Sequence, residues 1–336
     1  MTVGQWMLLA AAALLALVAT PVVRRYAASR GIADRPGPRR SHDAIVPRGG
    51  GLAIAVALVP CVLLGPATGT VTLGFLAGAL MVACLGWLDD RKSLPTGQRL
   101  VVQSAAAAGA VLLLGPVVSI SVAGTVIAGT WIWSALAIVA LVWLMNLFNF
   151  MDGSDGLAAT QSVLSCVLFA WIFAREGQVE LAWIAAAVAC AALGFLGWNW
   201  PRASIFLGDA GSLLLGWSVG MLALGGAVTG ALSVWLAFIL VSPFVVDATA
   251  TLGWRLARGE RWYTPHRDHA YQYLLRSGWS HRGVLFGWIA VNGLVVVPSA
   301  ALVVWNPALD LAIAAAVGVI LTGFWCLIHF AIRRRP

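Results

Sequence analysis

Residues 131–158 read WIWSALAIVALVWLMNLFNFMDGSDGLA, an apolar run that ends in a polar turn. The run from Trp131 to Leu147 is long enough to cross most of a bilayer as a helix. The turn that follows combines carboxylates, carboxamides and glycines within residues 146–158. Like charges at the end of a hydrophobic helix are costly unless a cation or a donor-rich ligand offsets them. The stretch predicts a membrane helix that carries a polar site at one face, with a solvated, helix-capping loop as the alternative.

Composition agrees with a membrane protein. The chain has 336 residues, of which 61% are hydrophobic and 10% charged, whereas about a quarter of the residues of a soluble domain are charged. The five cysteines fall in apolar runs without paired or metal-ligand spacing. We therefore predict an all-α polytopic membrane protein that forms one domain over residues 1–336.

The apolar runs predict about eleven membrane spans, with ten as the alternative. They cover roughly residues 5–23, 50–66, 71–88, 99–116, 131–148, 157–174, 181–197, 211–227, 231–252, 284–304 and 308–330. The segment 117–130 alternates and is rich in Val, Ile, Thr and Gly. This pattern predicts a short extracytoplasmic hairpin.

The basic residues give the orientation of these spans. With eleven spans, 20 of the 21 lysine and arginine residues fall on one side and only Arg175 falls on the other. The positive-inside rule makes the basic side cytoplasmic, with the N-terminus outside and the C-terminus inside. The predicted cytoplasmic loops are about 24–49, 89–98, 149–156, 198–210 and 253–283. Because the chain's polar residues cluster in these loops, the working face is predicted to be cytoplasmic.

Carboxylates in these loops suggest a site for a divalent cation. Asp89 and Asp90 end the third run, and as neighbours they point to different sides of a helix. Asp209, in FLGDAGS, begins a span, where the helix dipole favours an acid. Each of these features also has a purely structural explanation. Together with Asp152 and Asp155 they form a set of hard oxygen ligands that suits Mg²⁺, or alternatively Mn²⁺.

Basic groups on the same face suggest that the ligand carries phosphate. His266 and His269 are three apart in PHRDHAYQ, so one helical turn would point both imidazoles the same way, beside Arg267. The basic loop that ends at Arg48 either binds phosphate or anchors to acidic lipid headgroups. Carboxylates for a cation, basic groups for phosphates and a floor of membrane helices indicate chemistry between a nucleotide-type pyrophosphate and a lipid phosphate. Such chemistry requires alignment and charge neutralisation above all.

Five blocks carry a resemblance to a known family. In order they are DRPGPRRSH…PRGGG, GWLDDRKSLP, NLFNFMDGSDGL, NWPRASIFLGDAGS and PHRDHAYQ. The chain resembles the bacterial polyprenyl-phosphate N-acetylhexosamine-1-phosphate transferases. The resemblance implies transfer of a sugar 1-phosphate from a UDP-N-acetylhexosamine to undecaprenyl phosphate at the inner membrane, with release of UMP. It also implies Mg²⁺ as cofactor, membrane lipids and a homodimer as partners, and no nucleic-acid partner.

The resemblance further implies roles for individual residues. Asp89 would be a base or an acid facing the lipid phosphate, and Asp90 its partner near the cation. Phe206 would stack on uracil, with Asn199 hydrogen-bonding nearby. The predicted site comprises the catalytic residues Asp89, Asp90, Asp152, Asp155, His266 and His269, the substrate-binding residues Asn149, Asn199, Phe206, Arg267 and Arg48, and the metal ligands Asp209 and Asp155. A lipid phosphate, with a second pKa of about 6, has limited need of a base.

Two features refine this expectation. The peptidoglycan branch of the family carries a three-histidine run where this chain reads His-Arg-Asp-His, which favours the O-antigen-initiating branch over the muramyl-pentapeptide translocase. Asp247 lies in the ninth apolar run, where a charge is costly, and both a structural pairing with a loop arginine and a catalytic role stay open, so it is left outside the site. The rival function is a transporter or flippase of anionic or lipid-linked sugars, which would place its polar residues in mid-membrane and show internal repeats.

Overall fold

A computed structural model describes residues 2–34, 45–66, 68–261 and 266–332. The first half contains the helices α1 (Val3–Ser29), α2 (Gly51–Leu63), α3 (Thr70–Arg91), α4 (Thr96–Leu114) and α5 (Thr130–Met151) and the strands β1 (Ala33–Asp34), β2 (Val46–Pro47), β3 (Ser119–Val122) and β4 (Thr125–Ala128). The second half contains α6 (Leu157–Arg175), α7 (Val179–Asn199), α8 (Gly208–Thr229), α9 (Val234–Ala257), α10 (Ala270–Arg276), α11 (His281–Val291), α12 (Val297–Trp305) and α13 (Asp310–Leu327). Short π-helical segments, Asn292–Val296 and Ile328–Ile332, follow α11 and α13.

The prediction of an all-α polytopic membrane protein is confirmed. In the described part of the chain, ten helices are long and apolar enough to cross a membrane. The predicted span at 50–66 forms the shorter helix α2. Gly50, at the start of α2, packs on the ring of Phe195, and the Cys61 oxygen near its end accepts a 3.0 Å hydrogen bond from Trp183 Nε1. Helix α2 therefore runs antiparallel along most of α7. Because α2 is shorter than the other apolar helices, the structure gives ten spans without it and eleven with it.

The hairpin predicted at 117–130 is present. Strands β3 and β4 are antiparallel, with Ser119 opposite Ala128 and Val122 opposite Thr125. Its placement outside the cytoplasm stays a prediction.

The predicted polar loops are shorter than expected because the helices continue into them. Asp89 and Asp90 lie in the last turn of α3, Asn149 in the last turn of α5, and Asn199 ends α7. The loop predicted at 253–283 contains the helix α10. Most of the predicted site therefore lies on helix ends, which hold side chains more firmly than loops. The basic residues Arg35, Arg39, Arg40 and Arg333 to Arg335 lie outside the described residues.

Helix α8 is the centre of the bundle and is buried along nearly its whole length. A side chain at Gly216 would lie 2.7 Å from the backbone of Met145 on α5, so glycine permits close packing there. On the other side, Trp217 packs against Gly78 of α3 and donates from Nε1 to the Phe75 oxygen at 3.0 Å. This packing places the first turn of α8, with Asp209, between the ends of α3 and α5.

Candidate active site

A cavity of about 720 Å³ opens at the end of the bundle where α3, α5 and α8 meet the connection between α9 and α11. Nine predicted site residues line it: Arg48, Asn149, Asp152, Asp155, Asn199, Phe206, Asp209, His266 and His269. Leu100, Val139, Val142 and Trp143 of α4 and α5 add an apolar strip. Of the other predicted residues, all within the described ranges, Asp89, Asp90 and Arg267 are not among those that border the cavity. The distant acids and histidines of the sequence thus meet in one place.

Asp90 holds the beginning of α8. Its carboxylate accepts hydrogen bonds from the backbone N–H groups of Asp209 at 3.0 Å and Ala210 at 3.2 Å. Arg48 Nε lies 3.5 Å from the same carboxylate. Gly208 has φ +73°, and a Cβ there would lie 2.7 Å from Asp90 Oδ2, so this turn requires glycine. These contacts position Asp209, and the predicted catalytic role of Asp90 stays a prediction.

Asp89 is also held by the protein. It accepts hydrogen bonds from the Leu94 backbone N–H at 2.7 Å and from Arg99 Nη1 at 2.6 Å. Its carboxyl group also lies within hydrogen-bonding reach of that of Asp209. Arg99 itself lines the cavity, although the sequence had shown it only as one basic residue at the start of a span. Asp89 therefore links Arg99 to the acids of the site.

Asn149 orients Asp209. Its Nδ2 donates to Asp209 Oδ1 at 2.6 Å and lies 3.0 Å from the hydroxyl of Ser212. Its donor thus fixes one carboxylate oxygen of the predicted metal ligand, and the predicted role of Asn149 in substrate binding stays a prediction.

Asp152 follows α5 directly and faces other acids. The pKa of Asp152 is raised well above its ordinary value, first because the carboxyl group loses solvation and then because the carboxylates of Asp209, Asp90 and Asp155 repel its charge. A cation at this point would relieve that repulsion. In the part of the chain that the structure describes, no three Asp, Glu, His or Cys side chains form a complete metal-binding set. Mg²⁺ does not require one, because it usually takes one or two carboxylates and completes its shell with water and phosphate oxygens. Asp152 and Asp209 therefore fit Mg²⁺.

The loop after Asp152 is tied to two distant segments. Asp155 Oδ2 accepts from the backbone N–H of Ala203 at 3.0 Å, and its own N–H donates to Nδ1 of His281 at 3.2 Å. The Ser154 hydroxyl lies 3.1 Å from the same nitrogen. His281 lines the cavity and was absent from the predicted site, although it stands directly before an apolar run and next to Ser280, a helix-capping residue. The prediction of Asp155 as a metal ligand stays a prediction.

Asn199 braces the same loop. Its Oδ1 accepts from the Gly156 N–H at 3.0 Å, and its Nδ2 donates to the Ile205 oxygen at 3.0 Å. Because both polar groups of the side chain bind backbone, the contacts seen here are structural.

Phe206 and Arg48 lie side by side at another wall of the cavity. They form an isolated parallel β-bridge, in which the Phe206 N–H donates to the Pro47 oxygen at 2.9 Å and the Phe206 oxygen accepts from the Gly50 N–H at 3.0 Å. Backbone pairing thus fixes an aromatic ring next to a guanidinium group at the cavity, an arrangement that suits a base and its phosphates.

The histidine pair lies before α10 and not on a helical turn, so that detail of the prediction is wrong. His269 is the residue that precedes α10, yet the two imidazole centroids are still 5.0 Å apart. The pKa of His266 is lowered to about 4, first by burial and then because the neighbouring His269 and Arg255 disfavour a second positive charge. His266 is therefore neutral at physiological pH. Arg267 is half-buried between them, and residues 262–265 lie outside the described ranges.

Tyr271 contacts both the end of α5 and the ring of His269. Its hydroxyl donates to the Phe150 oxygen at 3.0 Å, and its ring stacks on His269 with centroids 6.0 Å apart. Burial raises the pKa of Tyr271, so the phenol stays protonated and keeps its donor. A Cβ at Gly153 would collide with this hydroxyl, which explains one glycine of the MDGSDG turn.

Comparison with known proteins agrees with this geometry. A family model described as glycosyl transferase family 4 matches residues 72–227, from α3 to α8. A probable undecaprenyl-phosphate N-acetylglucosaminyl 1-phosphate transferase of Bacillus subtilis is 32% identical over 84% of this chain and 82% of its own length. A decaprenyl-phosphate N-acetylglucosaminephosphotransferase of Mycolicibacterium smegmatis is 29% identical over 93% and 86% of the two chains. An undecaprenyl-phosphate alpha-N-acetylglucosaminyl 1-phosphate transferase of Escherichia coli K12 is 29% identical over 77% and 73%.

The helical membrane bundle, the acid-rich cavity at its end and the family model together define a polytopic membrane glycosyl transferase. Identity to the Bacillus protein extends over most of both chains. The chain belongs to the polyprenyl-phosphate N-acetylhexosamine-1-phosphate transferase family.

Proposed function

We propose that the chain transfers an N-acetylhexosamine 1-phosphate from a UDP-sugar to undecaprenyl phosphate, as the first membrane step of surface-glycan assembly. The names of the relatives support the prenyl-phosphate acceptor and the transferred group. The observation that carries the proposal is the cavity itself, in which carboxylates, basic side chains and an apolar strip border one space. A transporter is not favoured, because the relatives are transferases and the acids lie at helix ends.

The reaction is a displacement at phosphorus. An oxygen of the acceptor phosphate forms a bond to the sugar-bearing phosphorus of the UDP-sugar, and the bond from that phosphorus to the bridging oxygen breaks. UMP leaves with the bridging oxygen, so no water is consumed. The acceptor, with a pKa of about 6, is mostly a dianion at neutral pH and needs no base. This agrees with Asp89, whose carboxylate is already bonded to Leu94 and Arg99.

The protein's contribution is alignment and compensation of charge. Asp209 and Asp152 would hold Mg²⁺, or Mn²⁺, which neutralises the pyrophosphate when bound. Asn149 keeps Asp209 oriented. Arg48 and Arg99 border the cavity and are each held by a carboxylate, that of Asp90 or Asp89. Their remaining N–H groups would donate to phosphate oxygens and help an anionic acceptor to approach an anionic donor.

The remaining walls would select the substrates. Phe206 would stack on the uracil ring beside Arg48, whereas the apolar strip between α4 and α5 would receive the first prenyl units. The histidine-bearing loop 266–269 would face the pyrophosphate and the sugar.

We also propose that the protein lies in the bacterial inner membrane with the cavity facing the cytoplasm. Arg48, Arg99 and Arg255 are all at the cavity end, as the positive-inside rule requires of a cytoplasmic face. A homodimer is part of the same proposal, to be tested by the mass of the purified protein–detergent complex.

A direct assay tests the proposed function. Purified protein is incubated with undecaprenyl phosphate, Mg²⁺ and a panel of UDP-N-acetylhexosamines, and UMP release and the mass of the lipid product are measured. Asp310→Asn is the control for the acids of the site. Like Asp209, Asp310 lies in the first turn of a long apolar helix; it is buried but does not border the cavity. The control should keep the wild-type rate. No UMP from any donor, together with movement of lipid-linked sugar across vesicles, would instead establish the transporter.

A further inference from the structure

Asp247 is a buried carboxylate for which the proposed reaction provides no role. It lies in α9, four residues after Pro243, and is 4% exposed. A carboxylate inside a membrane helix is costly and is normally retained for a partner. Its contacts are with the backbone and side chain at the beginning of α10 and with Thr251 of its own helix.

The contacts of Asp247 fix the histidine loop. Its Oδ1 accepts from the backbone N–H of Ala270 at 2.9 Å and from the Thr251 hydroxyl at 3.2 Å. The same oxygen lies 3.6 Å from Nδ1 of His269. Asp247 therefore anchors both the residue after His269 and the edge of the imidazole.

The two groups are complementary and each has an unused atom. Among the described residues, Asp247 Oδ2 and His269 Nδ1 are buried without a hydrogen-bond partner. A carboxylate oxygen only accepts, whereas a protonated ring nitrogen donates. Nδ1 is satisfied if it carries its proton towards Oδ1 of Asp247 and the 3.6 Å separation closes by a few tenths of an ångström. Such bonds are often long in a ligand-free enzyme and shorten when substrate binds.

The imidazole has little freedom to do otherwise. His269 is 3% exposed, and its ring is nearly parallel to those of Phe150, at 6.2 Å and 22°, and Tyr271, at 6.0 Å and 11°. The ring borders the cavity. With Nδ1 turned towards Asp247, the opposite edge, which carries Nε2, is the edge that a ligand can reach.

We propose that Asp247 is a positioning residue that acts through His269: its carboxylate holds the Nδ1–H bond and thereby aims Nε2 of His269 at the phosphates of the substrate. The inference rests on the proposed function for what lies in the cavity, but not for the state of the histidine. Orienting carboxylates of this kind, when they lie behind a metal-bound histidine, are worth about 10–100-fold in activity.

Asp247→Asn is the informative substitution. A carboxamide oxygen in the place of Oδ1 can still accept from Ala270 N–H, so the start of α10 is kept, but the negative charge that favours a proton on Nδ1 is removed. We expect kcat to fall on the order of 10-fold with KM for the UDP-sugar little changed. In a His269→Ala background the same substitution should have no further effect on kcat. Glu180→Gln is the matched control, because Glu180 Oε1 accepts from the N–H groups of Gly69 and Thr72 at the opposite end of the bundle; it should keep the wild-type rate.

A spectroscopic measurement separates this inference from the proposed function. Protein with ¹⁵N-labelled histidine reports which ring nitrogen is protonated, and the His269→Ala spectrum assigns the signal. The wild type should show His269 protonated at Nδ1, and Asp247→Asn, which removes the charge, should raise the share of His269 that is protonated at Nε2. An Nε2-protonated His269 in the wild type, or an additive loss of kcat in the double variant, would overturn the inference. If the wild type releases no UMP, the proposed function fails while the spectrum still decides the role of Asp247.

Discussion

The two ends of the bundle use carboxylates in different ways. At the end away from the cavity, Glu180 accepts from two backbone N–H groups at the beginning of α3, at 2.7 and 2.8 Å. At the cavity end, Asp90 does the same for the beginning of α8, at 3.0 and 3.2 Å. Each of these acids completes a helix terminus whose first N–H groups have no partner within the helix. The observed contacts of Asp90 are therefore those of a helix-capping acid, and its predicted catalytic role stays a prediction.

What differs is the charge that remains at the cavity end. We call Glu180 and Asp90, which cap helices, the structural acids. Asp152 and Asp209 do not accept from helix N–H groups in this way, and we call them the surplus acids. They lie close enough to repel each other. A fold does not gain stability from like charges held together in a half-buried site. The cation and phosphates of the proposed reaction would offset this repulsion. The predictions below test this division between structural and surplus acids.

The largest effect is expected from a surplus acid. Asp209→Asn should lower kcat/KM by about 10²- to 10³-fold, as the loss of a charge-stabilising group does, while the melting temperature stays near that of the wild type or rises as repulsion is relieved. UMP release at several Mg²⁺ concentrations and thermal unfolding in detergent measure both quantities. Glu180→Gln should leave both unchanged. Wild-type activity of Asp209→Asn at ordinary Mg²⁺ would remove Asp209 from the metal site.

A structural acid should show the reverse pattern. Asp90→Ala leaves two helix N–H groups and Arg48 without their buried acceptor, so it should lower the free energy of unfolding by about 3 kcal/mol. Asp90→Asn, which keeps an acceptor oxygen, should lose much less. Thermal unfolding of the two variants in detergent checks this order. If Asp90→Ala melts like the wild type but is inactive, Asp90 belongs with the surplus acids.

Substitution of His269, on the basic side of the cavity, should lower kcat. His269→Ala removes a ring that borders the cavity, and we expect kcat to fall by about 10²-fold, in the range for a positioned acid–base or charge-stabilising group. The protein should remain folded, since Tyr271 and Phe150 still hold each other through the Tyr271 hydroxyl. A lower melting temperature with unchanged kcat would make His269 purely structural.

Much of this architecture was predictable because local sequence determines it. The run from Trp131 to Leu147 is hydrophobic for the length of a membrane, and Asp209 stands at a glycine turn that begins a helix. Resemblance to a family then identified the acids and histidines that border the cavity. Helix ends were misplaced by several residues, because Asp89, Asp90 and Asn149 are polar residues that still belong to the last turns of their helices.

The pairings within the site could not be predicted in this way. Asp155 and His281 are separated by 126 positions, and no period in the sequence relates them. Asp89 binds Arg99 rather than Arg91 or Lys92, its immediate neighbours, because the turn between α3 and α4 brings Arg99 back to the acid. Asp247 accepts from the backbone N–H of Ala270, a contact that depends on how α9 packs against α10. The sequence shows which charged residues are present, whereas tertiary packing decides which of them are neutralised.

The smallest predicted effect is a pH dependence of stability confined to the cavity end. The pKa of His266 is lowered to about 4 in the folded protein, whereas an unperturbed histidine has a pKa of about 6.5. Between these values the unfolded chain binds the extra proton, so His266 stabilises the folded state above pH 6.5 and this contribution is lost as the pH falls towards 4.

Asp152, whose pKa is raised, acts in the opposite direction, so the wild-type curve alone is not diagnostic. The difference between wild type and His266→Gln isolates the histidine. The melting temperature of the wild type minus that of the variant should fall by a few degrees from pH 7 to pH 4.5, because only the wild type loses the contribution of His266 on acidification. Parallel curves for His266→Gln and wild type would mean that the imidazole is open to solvent, and that the cavity end is less desolvated than its crowding of acids and bases implies.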